Sequence, residues 1–199
     1  MSFTRNLSLV ILSWALFVAQ SHAYRNDFLV KLRGGFLSSD EALQQGSKGT
    51  TPTQKFDKGL IAELGLSYFL HNNFAVELSA GYSWVDYFNL SRTKSVVSCL
   101  PATATVQFHL PIFNTVFPYA GVGYSYRFFF QEPTGVDIRD AGNIVYQAGL
   151  DFIIPRSEWG FNIDFKYVPA LQHDVTENNE VFKNSINSIS LMAGAVVKF

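Results

Sequence analysis

Nine charged residues recur at alternate positions of short segments, a spacing that places them on one face of extended strands. Five are basic and four are acidic, so the two signs nearly balance. Paired carboxylates on one face suit general acid and base chemistry. The near balance of charge favours a network of ion pairs inside a closed sheet, because isolated buried charges are costly. The predicted lumen network is Lys31, Arg33, Glu63, Glu77, Arg127, Asp151, Asp164, Lys166 and Lys198.

Other side chains that could do chemistry are scattered along the chain. The histidines beyond residue 23 are His71, His109 and His173, and none has the spacing of a metal-ligand pair. His173 and Asp174, with Ser185 or Ser188, contain the residue types of a hydrolase triad, but polar loop residues explain them more simply. We therefore expect a protein that is not an enzyme, with no metal and no cofactor.

Cys99 is the single cysteine, which excludes an intramolecular disulfide and a cysteine-based zinc site. Its predicted position near the outer mouth of the protein leaves two interpretations. The thiol pairs between molecules, or it packs as a small apolar group.

Composition narrows the class of protein. Lys and Arg number 15 against 16 Asp and Glu, so a basic nucleic-acid binder is unlikely and we expect no nucleic-acid partner. Only 16% of residues are charged and 16% are aromatic, which indicates that lipid covers part of the surface. Residues 1–23 combine Arg5, an apolar run and a Ser-His-Ala ending, the parts of a secretory signal peptide. We expect its removal, with an uncleaved anchor as the alternative, and a single domain over residues 24–199.

The elements that must position these residues are strands, because apolar and polar residues alternate in eight segments of about ten residues. The fold class predicted is all-β: an eight-stranded antiparallel up-and-down transmembrane β-barrel. Three short periplasmic turns are expected at 70–73, 111–116 and 155–158. Four long outer loops are expected at 38–58, 86–98, 130–142 and 169–187.

Side-chain volume decides which face points inward. One face carries bulky groups such as Phe74, Trp84 and Trp159, and the other carries many glycines and serines. An eight-stranded barrel has room for only modest side chains, so the small face lines the bore and the bulky face contacts lipid. A soluble, lipocalin-like barrel with the opposite arrangement is the alternative.

On each strand, alternate residues point into the bore. Continuing this alternation to the outer ends of the strands predicts an apolar ring above the charged network. Such a ring would receive an apolar solute and exclude water. If the strands bulge or fray there, these residues merely begin the loops. The predicted ligand-binding ring is Leu37, Ile61, Val85, Pro101, Phe129, Val145, Val168 and Ile186.

Several segments together resemble the OmpW family of small outer-membrane barrels. They are Phe-Pro-Tyr-Ala-Gly-Val-Gly-Tyr at 117–124, Phe-Ala-Val-Glu-Leu at 74–78, Leu-Pro-Ala-Thr-Ala-Thr at 100–105, Gln-Ala-Gly-Leu-Asp-Phe at 147–152 and Val-Lys-Phe at 197–199. At the start of the fourth predicted strand, where the family usually has two consecutive prolines, this sequence has Pro101-Ala102.

The resemblance implies a location in the bacterial outer membrane and contact with its lipids. It also implies that Phe199 belongs to the signal read by the barrel-assembly machinery. The implied function is passage of small hydrophobic molecules through a lumen that opens sideways to lipid. A barrel without transport, which anchors the envelope or contacts other cells through its outer loops, is the alternative.

Overall fold

The computed structural model describes residues 27–42, 55–88, 94–112, 115–130, 136–138, 140–177 and 180–199. The leader predicted at 1–23 lies outside the described residues. Over the described ranges, no helix combines the length and the apolar character needed to cross a membrane.

Every regular element in these ranges is a strand. The bounds are β1 Phe28–Ala42, β2 Lys55–His71, β3 Phe74–Phe88, β4 Lys94–His109, β5 Val116–Phe130, β6 Val136–Ile138, β7 Ala141–Ile153, β8 Trp159–Glu177 and β9 Glu180–Lys198.

Eight of the strands close into an antiparallel barrel, which confirms the predicted fold class. Each of the eight pairs with its neighbours in the chain, with β7 following β5, and β9 returns to pair with both β8 and β1. Phe28 and Phe199 exchange two main-chain hydrogen bonds, so both strand ends meet on the side of the short turns. The short strand β6 pairs with the outer part of β8.

The outer strand ends extend further than the alternation predicted. Most of the segment expected as a loop at 169–187 is a hairpin in which β8 and β9 pair as far as Glu177 and Glu180. The difference has a physical reason: main-chain ladder bonds do not require an apolar face, so polar sequence beyond the lipid still forms strands. The strand β6 was not predicted, because three residues are too few to show a period.

The barrel turns its bulky apolar side chains outward. Leu64 is 57% exposed and Leu191 is 56% exposed, although each lies well inside a strand, and Phe161, near the start of β8, is 62% exposed. Aromatic rings pair on this surface near both rims, Phe28 with Tyr68 at one end and Tyr126 with Phe128 at the other. This surface has the character of a lipid-facing wall with aromatic belts.

The bore contains three layers. An apolar floor lies at the end with the short turns, a charged layer follows, and a mixed chamber lies toward the outer end. The floor consists of Leu29, Phe69, Ala75, Phe117, Ile153 and Val196. It closes the inner end with packed side chains, so the bore is filled rather than open.

We expect the cost of a charge on the outer wall to depend on depth. Leu64→Arg, in the middle of β2, should lower the free energy of unfolding in lipid vesicles by about 2–4 kcal/mol. Leu70→Arg, on the same face near the inner turn, should cost about 0–1 kcal/mol. Denaturant titration of the vesicle-embedded protein checks this, and equal costs at the two positions would contradict the outward orientation of the apolar face.

Candidate functional site

The charged layer is organised around the carboxylate of Glu77 on β3. Its Oε2 lies 3.2 Å from Lys31 Nζ and its Oε1 lies 2.7 Å from Arg33 Nη2. Alternation along β1 points both cations into the bore, where the two side chains are fully buried. Glu77 is thus shared by two buried cations, and further carboxylates are needed to balance the second positive charge.

Four further ions extend this layer across the bore. Arg33 also contacts Glu63 and, through Nη1 at 3.2 Å, Asp164. Lys31 Nζ lies 3.0 Å from Asp151, and Lys166 Nζ lies 2.7 Å from Glu63 Oε2. Seven of the nine predicted network residues therefore meet, with three cations against four anions.

Neutral polar groups extend the layer of ions, and Tyr119 joins it to β5, which carries no charge in the layer. Gln147 Nε2 donates to both Glu77, at 3.0 Å, and Asp164, at 2.7 Å. Tyr119 OH on β5 donates to Asp164, and the Tyr119 ring lies 4.4 Å from Lys31 Nζ. A Cβ on Gly65 would lie 2.7 Å from Arg33 Nη2, so glycine is needed for the guanidinium to fit.

Arg127 and Lys198 lie outside the network into which the sequence placed them. Lys198 pairs with Asp27 at 2.8 Å at the inner rim, where both side chains are partly exposed. Arg127 lies in the outer chamber and donates to Ser188 Oγ. The inward phase of both residues was predicted correctly. Their height was not, because strand tilt and stagger shift equivalent positions along the barrel axis.

A narrow chamber, partly open to the outside, lies directly outward of the charged layer. Its floor includes Glu63 and Lys166 of that layer. The described residues that line it are Leu37, Ile61, Glu63, Ser83, Pro101, Thr103, Ser125, Arg127, Val145, Lys166, Val168, Ser188 and Ser190.

Five members of the predicted apolar ring line this chamber: Leu37, Ile61, Pro101, Val145 and Val168. All five are buried.

Of the other three predicted ring residues, Val85 and Phe129 do not line the chamber. Val85 is buried, but Ser83 lines the chamber on its strand. Phe129 is half-buried, and Arg127 takes its place on β5. Ile186 pairs through its main chain with Leu171, and its side chain lies outside the described residues. Counting from the strand ends thus placed these positions too far outward.

Hydroxyl groups form the part of the chamber that the ring prediction did not include. They belong to Ser83, Thr103, Ser125, Ser188 and Ser190. Their inward phase was visible in the sequence as the small polar face, yet they were interpreted only as space-saving residues. The apolar floor was likewise missed, although extending the inward phase to the inner strand ends would have found it.

The wall beside the chamber has two interruptions in its hydrogen-bond ladder. Between β3 and β4, pairing stops at Ala80–Ala102 and resumes at Ser83–Cys99. Pro101 lies in this gap and has no N–H to donate.

The second interruption is longer. Pairing of β7 with β8 ends at Tyr146–Tyr167, and described pairs on that edge of β8 resume only at Ile138–Val175 of β6. The Asn143 amide bridges the gap by donating to the Pro169 carbonyl at 2.7 Å. Val145 and Val168 lie at the inner end of this gap and line the chamber.

The remaining candidates for chemistry do not converge. His109 is buried against the Tyr119 ring and contacts Gln107 at 3.0 Å, whereas His71 is exposed at a turn. Ser188 contacts Arg127, and the side chains of the other triad candidates, His173, Asp174 and Ser185, lie outside the described residues.

Cys99 is buried with its Sγ 2.9 Å from Ser83 Oγ, so it packs against a strand neighbour. In the part of the chain that the structure describes, no group of three His, Cys, Asp or Glu side chains is arranged to hold a metal.

We expect Glu77→Ala to lower the free energy of unfolding by about 3–5 kcal/mol, because it leaves two buried cations without a shared partner. Lys198→Ala, which breaks a partly exposed pair, should cost less than about 1 kcal/mol. Denaturant titration in lipid vesicles measures both. A small cost for Glu77→Ala would contradict its central place in the charged layer.

The comparisons with known proteins agree with this architecture. An outer-membrane protein of Sinorhizobium fredii is 31% identical over 148 residues, covering 70% of this chain and 63% of that protein. Outer membrane protein AlkL of Ectopseudomonas oleovorans is 30% identical over 121 residues, covering 56% of this chain and 52% of AlkL. The aligned part of the chain thus spans between half and two thirds of these relatives.

Solved structures show the same fold at lower identity. The crystal structure of OprG from Pseudomonas aeruginosa superposes with a TM-score of 0.71 at 20% identity, covering 89% of this chain and 97% of OprG. The structure of AlkL in lipid bilayers gives a TM-score of 0.63 at 20% identity, covering 90% of this chain and 93% of AlkL.

The family assignment rests on the sequence over nearly the whole barrel. The sequence pattern of the OmpW family matches residues 26–199, which include every strand described above. The chain therefore belongs to the OmpW family and is a β-barrel of the bacterial outer membrane.

Proposed function

We propose that the protein passes small hydrophobic molecules from the outside into the outer membrane through its upper lumen. The observation that carries this proposal is a chamber with an apolar side that lies directly above a sealed layer of ion pairs. Apolar lining removes the hydration of a solute that enters from the outer end. The solute then lies in the chamber above the charged layer.

Straight passage to the inner end is opposed by the charged layer and the apolar floor. The ions of Lys31, Arg33 and Glu77 are fully paired and almost completely buried. An apolar solute offers no hydrogen bonds in exchange for those it would break, so entering this layer costs far more than it returns. The charged layer therefore blocks the movement of an apolar solute toward the inner end of the bore.

Release is therefore sideways, through the wall at the height of the chamber. A gap between strands requires breaking main-chain hydrogen bonds, and this cost is lowest where the ladder is already interrupted. The β7–β8 interruption borders Val145 and Val168 and is bridged by the Asn143 amide. A solute that leaves here moves from one apolar surface to the lipid without crossing water.

Filling the chamber tests this function. Val145→Trp places a bulky ring in the chamber, so we expect it to abolish most of the protein-dependent entry of a hydrophobic dye. Ile144→Trp is the matched control, since Ile144 is 47% exposed on the outer wall and its replacement leaves the chamber unchanged. The measurement is the fluorescence of 1-N-phenylnaphthylamine taken up by intact Gram-negative cells that express each variant.

Folding of each variant is checked by its heat-dependent migration in SDS gels. Dye entry that Val145→Trp leaves at the wild-type rate would contradict passage through the chamber. Wild-type protein that gives no entry above cells without it would contradict transport and favour a barrel that acts through its outer loops.

A further inference from the structure

The outer chamber contains a cation that the charged layer does not neutralise. Arg127 is only 9% exposed, and its side chain lines the chamber. Its hydrogen-bond partner is a neutral group, Ser188 Oγ. Among the described residues, no carboxylate forms an ion pair with it. A guanidinium has five N–H donors, so most of its donor capacity remains available.

The other charges of the chamber do not supply the missing anion. Glu63 is shared between Arg33 and Lys166, each within ion-pair distance. Lys166 also donates to Ser79 at 3.0 Å. The layer below has one more carboxylate than cations, but Asp151 contacts Lys31 and Asp164 contacts Arg33, so among the described residues Arg127 is left without a carboxylate in direct contact. A buried charge without a partner is costly, which favours occupation of the chamber by an anion.

The lining around Arg127 contains two chemically different kinds of group. The hydroxyls of Ser125 and Ser188 lie on the lining with the guanidinium. Leu37, Ile61, Val145 and Val168 supply apolar surface on the same lining. A guanidinium matches a carboxylate through two parallel hydrogen bonds, and hydroxyls add further donors.

We propose that the chamber selects small apolar molecules that carry a carboxylate, with Arg127 as the residue that determines this specificity. The carboxylate binds the guanidinium, and the hydrocarbon part lies against the four apolar side chains. This inference deepens the proposed function by naming the class of solute. The chamber is then a site that binds its solute specifically, in addition to removing the water around it.

Equilibrium binding tests the specificity without requiring passage. Sodium hexanoate and its neutral analogue hexanol are titrated by calorimetry into the protein in lipid nanodiscs, with empty nanodiscs as the blank. We expect wild-type protein to bind hexanoate more tightly than hexanol. Arg127→Gln should weaken hexanoate binding by about ten- to hundredfold, the worth of charge-assisted hydrogen bonds, and leave hexanol binding unchanged.

Two further variants separate recognition from folding. Lys198→Gln removes a cation at the opposite end of the barrel and should leave both affinities unchanged. Arg127→Lys keeps the charge and loses the planar fork, so it should retain only part of the preference, and it serves where Arg127→Gln does not fold. Equal affinity of wild-type protein for hexanoate and hexanol, or no binding of hexanoate, would overturn the proposal, as would a preference unchanged in Arg127→Gln or in Arg127→Lys.

The two proposals fail separately. Dye entry through the chamber without any hexanoate preference overturns only the specificity of Arg127. A hexanoate preference that depends on Arg127, in a protein that gives no dye entry, supports the binding site and overturns passage.

Discussion

Every arrangement described above depends on the requirement that charges enclosed by a lipid-facing barrel be paired. The bore of eight strands is too narrow to hydrate ions freely, so Lys31 and Arg33 are each held in direct ion pairs with Glu77 and with a second carboxylate. That requirement fixes the inward phase of the strands, the small residues that leave room for the ions and the closure of the bore below the chamber. The apolar outer wall meets the same requirement from the other side, because the side chains that it presents to lipid, such as Leu64 and Leu191, are apolar.

Much of the barrel could be predicted because alternate residues of a strand point to opposite faces, so a period of two shows which side chains face the bore and which face lipid. The fold, the inward phase of Arg127 and the membership of Glu63 or Asp164 in the charged layer follow from alternation and side-chain volume. The alternation does not show how far along the barrel axis each inward side chain lies. It depends on tilt and on the stagger between strands, which arise from pairing between distant segments. For this reason Ser83 and Arg127, rather than Val85 and Phe129, reach the chamber.

The chamber joins two properties that a simple hydrophobic pore would keep apart. Strands β1 and β7 contribute only apolar side chains to it, and β3, β5 and β9 contribute only polar ones. Strands β2, β4 and β8 contribute both kinds. A solute therefore meets different chemistry on different sides of the same space. Such asymmetry orients a bound molecule, whereas a uniform lining only desolvates it.

The ion pairs join residues that are remote in the chain: Lys166 and Glu63 are 103 positions apart, and Arg33 and Glu77 are 44 apart. Contacts of such separation form late, since long loops must close first. An unclosed sheet would therefore expose bare charges toward hydrocarbon. The charged side chains of the bore therefore destabilise a partly inserted, open sheet and stabilise the closed barrel. Insertion into the membrane and closure of the barrel become a single cooperative event.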